Sequence, residues 1–437
     1  MQLLYIKGEN VLHIIHYDNF VKLLNRELVP ALGCTEPIAI AYAAAQAAEL
    51  LGETPEKLVA ICSGNIIKNV MGVIVPNSKG NKGIEIAATL GALGGKAEDG
   101  LEVLENISDE EIDRCIEIKN QGFCECRLAE GVDNLYIDII VTGKEHTAEV
   151  VISETHTNII KKVKDGEVLF DHGIDTKEMK SFIRYATIAN ILDFADIVEL
   201  KTVEGVLKMQ IECNTAISDE GLTNNYGANV GKAILKNHEN DLDARIKAAV
   251  AAGSDARMSG CSMPVVINSG SGNQGMAVSL PIVEYSRFYG IEDDRVLRAL
   301  VVSNLIALYV KKKIGSLSAF CGAVSAAAGA GAGIGYLKGM THQEIGKVIE
   351  FTVANVGGLI CDGAKASCAA KLASSIDAML LAITMVEEGY EFGADEGLMG
   401  NDPDSTVKNV CYVGKHGMTE TDINILKIMT GEIKVDE

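Results

Sequence analysis

The sequence predicts an α+β fold, with a mixed α/β domain over residues 1–195 and a nearly all-helical domain over residues 196–437. Three observations point there. Residues 135–141 and 147–154 are β-branched or alternating runs joined by Gly143-Lys144-Glu145, the pattern of a hairpin. Beyond about residue 175 such runs fade, and helical patterns follow one another to the C-terminus. A chain of 437 residues that is 48% hydrophobic can fill two substantial cores. No low-complexity linker separates the halves, so they are expected to share an interface, a preferred place for ligand sites.

The first element is a helix over 17–26. It leads into VPALGCTEP at 29–37, where Pro30 and Pro37 bracket a rigid loop. An alanine-rich helix over 38–51 follows, so Cys34 sits in a Gly-bounded loop just ahead of a helix N-terminus. That setting lowers a thiol pKa, although an ordinary loop cysteine fits the same residues. TPEK at 54–57 reads as a helix start with Pro in its first turn. PNSKGNKG at 76–83 precedes a small-residue helix over 84–94. Its backbone N–H groups and lysines suit an anion, but it has no P-loop spacing, and a solvated turn is the commoner meaning. Ser108 and Glu111 form a capping box that starts a helix running to Ile118. Cys124 and Cys126 fall on one face of a strand, as a metal pair or as half-buried packing.

The helical half is expected to contain helices at 177–189, 203–218, 230–237, 242–252, 294–311, 318–337, 343–354 and 366–388, with a second capping box at Thr341 and Glu344. Its most unusual stretch is GCSMPVVINSGSGNQG at 260–275. So many glycines and amides expose backbone N–H donors together, which suits a carboxylate or phosphate. Asn268, Ser269, Ser271, Asn273 and Gln274 are the candidate ligand contacts. Cys361 and Cys368 are seven residues apart, about 10 Å along a helix axis, too far for both thiols to reach one metal centre from inside a straight helix. The geometry works if Cys361 lies in the loop before the helix, with Asp362 as a cap and Gly363 taking unusual dihedrals. Two buried structural cysteines would give the same pair.

A net charge of −21 argues against a nucleic-acid partner, and the lack of Trp with 5% aromatic content disfavours base stacking. No basic-then-apolar leader stands at the N-terminus, so the chain reads as cytoplasmic. Residues 314–337 are long and nearly uncharged, but their Ala, Gly and Ser content points to a close-packed buried helix rather than a membrane span. Such Ala/Gly surfaces also fit self-association into a homo-oligomer. Eleven cysteines in a reducing compartment are structural, catalytic or metal-bound, and the absence of any C-x-x-C pair removes zinc-ribbon and thioredoxin readings.

Taken together, ALGCTEPIAIA at 31–41, SGNIIKNVMGVIVPN at 63–77, MPVVINSGSGNQG at 263–275, AFCGA at 319–323 and CDGAKASCAAK at 361–371 give the chain its resemblance to the iron–sulfur L-cysteine desulfidase family, a relative of the iron–sulfur L-serine dehydratases. The resemblance implies a [4Fe–4S] cluster with one open iron, held by Cys321, Cys361 and Cys368, and Cys34 as catalytic base. It implies conversion of L-cysteine to pyruvate, ammonia and sulfide without pyridoxal phosphate. The alternatives are L-serine dehydration, and a non-catalytic protein that binds amino acids or senses redox state with the same loops.

Overall fold

The computed structural model describes residues 14–171, 182–183, 186–315 and 317–433. In chain order the first half contains α1 (Ile14–Glu27), β1 (Pro30–Leu32), α2 (Thr35–Leu51), β2 (Lys57–Ser63), α3 (Gly64–Val70), α4 (Ile84–Gly94), α5 (Asp109–Asn120), β3 (Cys124–Ala129), β4 (Tyr136–Thr142), β5 (Thr147–Ser153), β6 (Ile159–Lys164) and β7 (Glu167–Phe170). The last six strands of this set form a sheet of order β3-β2-β4-β5-β6-β7. Only β2 and β3 run parallel; the other pairs are antiparallel. The expected hairpin is β4–β5, and the sheet continues through β6 and β7, which the sequence reading passed over. Residues 54–57 do not start a helix. They lead into β2, whose Leu58, Ala60 and Cys62 are buried on one face between β3 and β4. Tertiary pairing with a strand on each side overrides the local Thr-Pro helix signal. Helices α2 and α4 pack on the sheet, and a Cβ on Gly91 of α4 would lie 2.1 Å from the Ala41 carbonyl oxygen of α2. The capping box at Ser108 and Glu111 is formed, and its helix runs to Asn120.

The helical half contains α6 (Ile188–Ile197), α7 (Glu204–Thr223), α8 (Val230–Leu235), α9 (Leu242–Met258), β8 (Pro264–Val266), α10 (Gly272–Tyr289), α11 (Asp293–Ile314), α12 (Gly322–Lys338), α13 (His342–Val356), α14 (Cys368–Glu387), α15 (Pro403–Tyr412) and α16 (Thr419–Met429). The helix expected at 177–189 falls largely outside the described residues; the described helix begins after the Thr187 cap. Helix α10 was not expected, because Pro281 lies inside it and its start is hidden in a Gly- and Asn-rich stretch that reads as loop. The helix expected from 318 begins only at Gly322, and α9 runs on to Met258. Helix α12 is almost wholly buried among α10, α11, α13 and α14. A Cβ on its Gly329 would stand 2.3 Å from the Ser303 carbonyl oxygen of α11, so the small residues serve helix packing. Among the described residues α14 is the one helix long and apolar enough to span a membrane by length and composition; it packs against α9, α12 and α13.

The two halves meet at defined points. Strand β1 pairs antiparallel with β8, Ala31 opposite Val265. Helix α16 docks on α3, where the Lys68 ammonium forms an ion pair with Asp422. One hydrophobic cluster runs through both halves, from Phe20 and Ile40 to Tyr309 and Phe351.

Candidate active site

A cavity of about 720 Å³ opens where the two halves meet. Helix starts surround it: Cys34 caps α2, Ser271 caps α10, Cys321 caps α12, and Cys368 is the first residue of α14. Each start leaves N–H groups without intrahelical acceptors and presents the positive end of a peptide dipole. Arg257, Lys311 and Lys371 add basic side chains to the wall, although burial lowers the Lys311 pKa and Lys371 is paired with Asp362. Glu27, Glu36, Asp99, Glu102 and Glu154 line the same cavity, so what suits an anion is the local set of helix starts and not a net positive wall.

Cys321 and Cys361 are brought together by a short antiparallel bridge between Phe320 and Ile360. The Cys361 N–H donates to the Ala319 carbonyl at 2.6 Å, and the Cys321 N–H to the Leu359 carbonyl at 3.0 Å. The two thiols interact: Cys321 pulls the Cys361 thiol below its ordinary range, helped by Lys68 and Lys311 and opposed by burial, while Cys361 and burial push Cys321 up. The chain then loops to Cys368, whose thiol, raised by burial, faces the Gly363 carbonyl at 3.7 Å. Cys361 thus lies in the loop before the helix, as its spacing requires. Asp362 does not cap that helix: it pairs with Lys365 at 2.5 Å and with Lys371, and Ser367 stands at the cap position. Two charged lysines within reach outcompete the free N–H groups for its carboxylate. Gly363 takes φ +93°, and a Cβ there would meet the Lys68 carbonyl oxygen at 2.4 Å, so the loop lies directly on the end of α3.

Cys34 faces a carboxylate. Its thiol donates to Glu36 Oε2 at 3.1 Å and Asn69 Nδ2 donates to Oε1 at 3.1 Å, while Thr35 Oγ1, 3.2 Å from Oε2, gives its one proton to the closer Gly270 carbonyl at 2.7 Å. His156 Nε2 stands 3.9 Å from Oε1, too long for a hydrogen bond, and is itself a buried atom without a partner. Burial raises the Glu36 pKa, but His156, the Cys34 hydrogen bond and Arg257 outweigh it and bring the carboxyl to about 2. Burial, and then the Glu36 charge, push the Cys34 thiol well above its ordinary value, against the pull of Arg257. The lowering expected from the helix N-terminus is therefore overridden, and the resting group is a neutral thiol. Gly270, at φ +77°, leaves room for the His156 ring: a Cβ would lie 2.7 Å from its Cε1.

The Gly-rich stretch folds as a tight turn into α10. Ser269, Ser271, Asn273 and Gln274 line the cavity. Asn268 does not; it is fully buried, and its amide donates to the Asn304 carbonyl at 3.2 Å and side chain at 2.9 Å. Its role is to hold the turn. The α10 start leaves the Gly272 and Asn273 N–H groups for a ligand.

Glu36, Asn69, His156, Arg257, Lys68 and Lys311 escaped the sequence reading. Glu36 stood two residues after Cys34, but nothing in TEP shows that its carboxylate is buried. The others come from distant segments and carry no local pattern. Among the described residues no three His, Cys, Asp or Glu side chains converge as tightly as a single metal ion demands. A four-iron cluster spreads its thiolates over separate irons. Three cysteines on one cavity, beside buried Lys68 and Lys311 and the N-termini of α12 and α14, supply the soft donors and the positive surroundings that an anionic cluster needs.

A profile of the serine dehydratase alpha chain matches residues 98–427, which include the Gly-rich turn, Cys321, Cys361 and Cys368 but not Cys34. The chain is 48% identical to a UPF0597 protein of Lachnoclostridium phytofermentans, over 94% of this chain and 99% of that relative. It is 44% identical to UPF0597 protein DSY1109 of Desulfitobacterium hafniense, over 95% and 97%. A UPF0597 protein of Treponema denticola is 41% identical, over 94% and 98%.

Proposed function

The chain belongs to the serine dehydratase alpha chain family, and from that premise we propose that it is a cytoplasmic L-cysteine desulfidase, a carbon–sulfur lyase that needs no pyridoxal phosphate. The observation that carries the reading is that Cys34, Cys321, Cys361 and Cys368, from three separate segments, open onto one cavity. Cys321, Cys361 and Cys368 would hold a [4Fe–4S] cluster, which when bound supplies a Lewis-acidic iron suited to a departing sulfur. Lys68 and Lys311 offset the negative charge of the thiolates.

Cys34 takes the α-proton as general base. Its resting thiol must first give up its own hydrogen, and Glu36, the acceptor it already touches, disfavours a second negative charge nearby. Arg257 already favours the thiolate, and positive charge brought in by the substrate beside Glu36 favours it further, so the thiolate forms more readily when the site is filled. The turn at Ser269 and Ser271, with the Gly272 and Asn273 N–H groups, holds the substrate carboxylate. Loss of the α-proton and of the β-sulfur, as hydrosulfide, leaves aminoacrylate. Its imine tautomer takes up water to give pyruvate and ammonia.

L-serine is the second reading, favoured by the description of the matched family. Anaerobic, iron-loaded protein supplied with each amino acid separates the two. Pyruvate and sulfide from L-cysteine at higher kcat/KM than pyruvate from L-serine is expected. A preference for L-serine would move the assignment to dehydration, and no pyruvate from either would end the elimination reading.

A further inference from the structure

Among the side chains on the cavity wall with unfinished bonding are Arg257 and Asn69. Arg257, near the end of α9, is only 2% exposed. Its Nε donates to the Gly33 carbonyl at 2.7 Å, and among the described residues neither Nη group has a protein acceptor. A Cβ on Gly272 would lie 2.4 Å from that Nε, so the guanidinium rests against the start of α10. A buried guanidinium with an open fork is costly until an anion completes it, and its planar pair of donors matches a carboxylate.

Asn69 is 7% exposed and ties its Nδ2 to Glu36 Oε1. An ionised carboxylate only accepts, so the amide cannot be turned round, and Asn69 Oδ1 is left as a buried acceptor without a partner. An orphan acceptor beside a buried carboxylate calls for a donor that carries positive charge.

We propose that this corner is a grip for an α-amino acid, with Arg257 joining the turn at the start of α10 on the α-carboxylate and Glu36 together with Asn69 Oδ1 binding the α-ammonium. The inference rests on the elimination reading and deepens it. Arg257 is tied to the carbonyl of Gly33, the residue before Cys34, and Glu36 accepts from the Cys34 thiol, so a zwitterion held between them lies beside that thiol. The arriving ammonium is also the cation that offsets Glu36.

The probe is L-alanine, which has both charged groups and no β-substituent to eliminate. It is titrated calorimetrically into the full chain before and after anaerobic iron loading, with propionate as the amine-free control. Wild type binds L-alanine. Arg257→Gln weakens that binding at least tenfold and weakens propionate as well. Asn69→Leu weakens L-alanine several-fold but leaves propionate unchanged. Arg257→Lys, which keeps the charge and loses the fork, carries the same prediction should the glutamine variant fail to fold, as judged by circular dichroism. Failure of wild type to bind L-alanine in either state, or wild-type affinity in a folded Arg257 variant, overturns the grip. Binding that follows these residues without pyruvate from L-cysteine or L-serine sinks the elimination reading alone. Wild-type KM in Arg257→Gln with normal pyruvate formation sinks the grip alone.

Discussion

Asp422→Asn removes the anion opposite Lys68, a lysine that is 1% exposed and has no water to turn to. Removing one partner of a fully buried pair costs about 3–5 kcal/mol. The Asp422 side chain is 16% exposed, so solvent screens one side and the expected loss is nearer ~2–4 kcal/mol. Helix α16 buries no side chain of its own, and its hold on α3 comes from this pair and from Leu426, whose Cδ2 lies 2.6 Å from where a Cβ on Gly64 would be. Lys68 Nζ also lies 3.5 Å from the Cys361 carbonyl, so the damage reaches the cluster loop. Equilibrium urea unfolding of iron-free protein at pH 7 reads the loss as a lower midpoint. The double variant Lys68→Met with Asp422→Leu, which removes both charges, should recover most of it. A single-variant loss below roughly 0.5 kcal/mol, the range of ordinary surface changes, would refute the argument. So would a double variant less stable than the single one.

Two further predictions concern Asp138 in the sheet and Gly270 in the turn before α10. Asp138 on β4 is 9% exposed with Oδ1 unpartnered, and burial, then Glu149, raise its pKa to about 6. The folded pKa lies above the unfolded one, so its favourable contribution is complete below about pH 4 and is lost as pH rises through 6. Asp138→Asn should accordingly stabilise the protein by roughly 1–3 kcal/mol at pH 7.5 and change little near pH 4, as read by urea midpoints across that range. An equal effect at both pH values would contradict the assignment. Gly270→Ala must adopt a left-handed backbone and press on His156, for an expected loss of about 1–3 kcal/mol in a thermal melt. An unchanged melting temperature would show that the ring moves aside freely.

Much of the fold was legible because helix signals are local. The capping boxes at Ser108 and Thr341 start helices in the structure, and alternating residues mark β4 and β5. What was hidden depends on partners far away in the chain. Strand β2 is a strand because β3 and β4 flank it, and α10 begins in residues that favour turns. The candidate site divides in the same way. The cysteines and the Gly-rich turn stand out by residue type. Glu36, Asn69 and Arg257 come from α2, α3 and α9, and nothing along the chain shows that they converge. Even for Cys34 the local rule of a helix N-terminus lost to burial and to one neighbouring carboxylate.

Anaerobic reconstitution with iron and sulfide, followed by iron counting and a pyruvate assay, tests the central claim most directly. Wild type should take up about four irons per chain and turn over L-cysteine. Cys361→Ala and Cys368→Ala should lose the cluster, while Cys34→Ala should keep its iron and lose turnover. Full iron content in both Cys361→Ala and Cys368→Ala, or loss of iron in Cys34→Ala, would contradict the division of these cysteines into ligands and base.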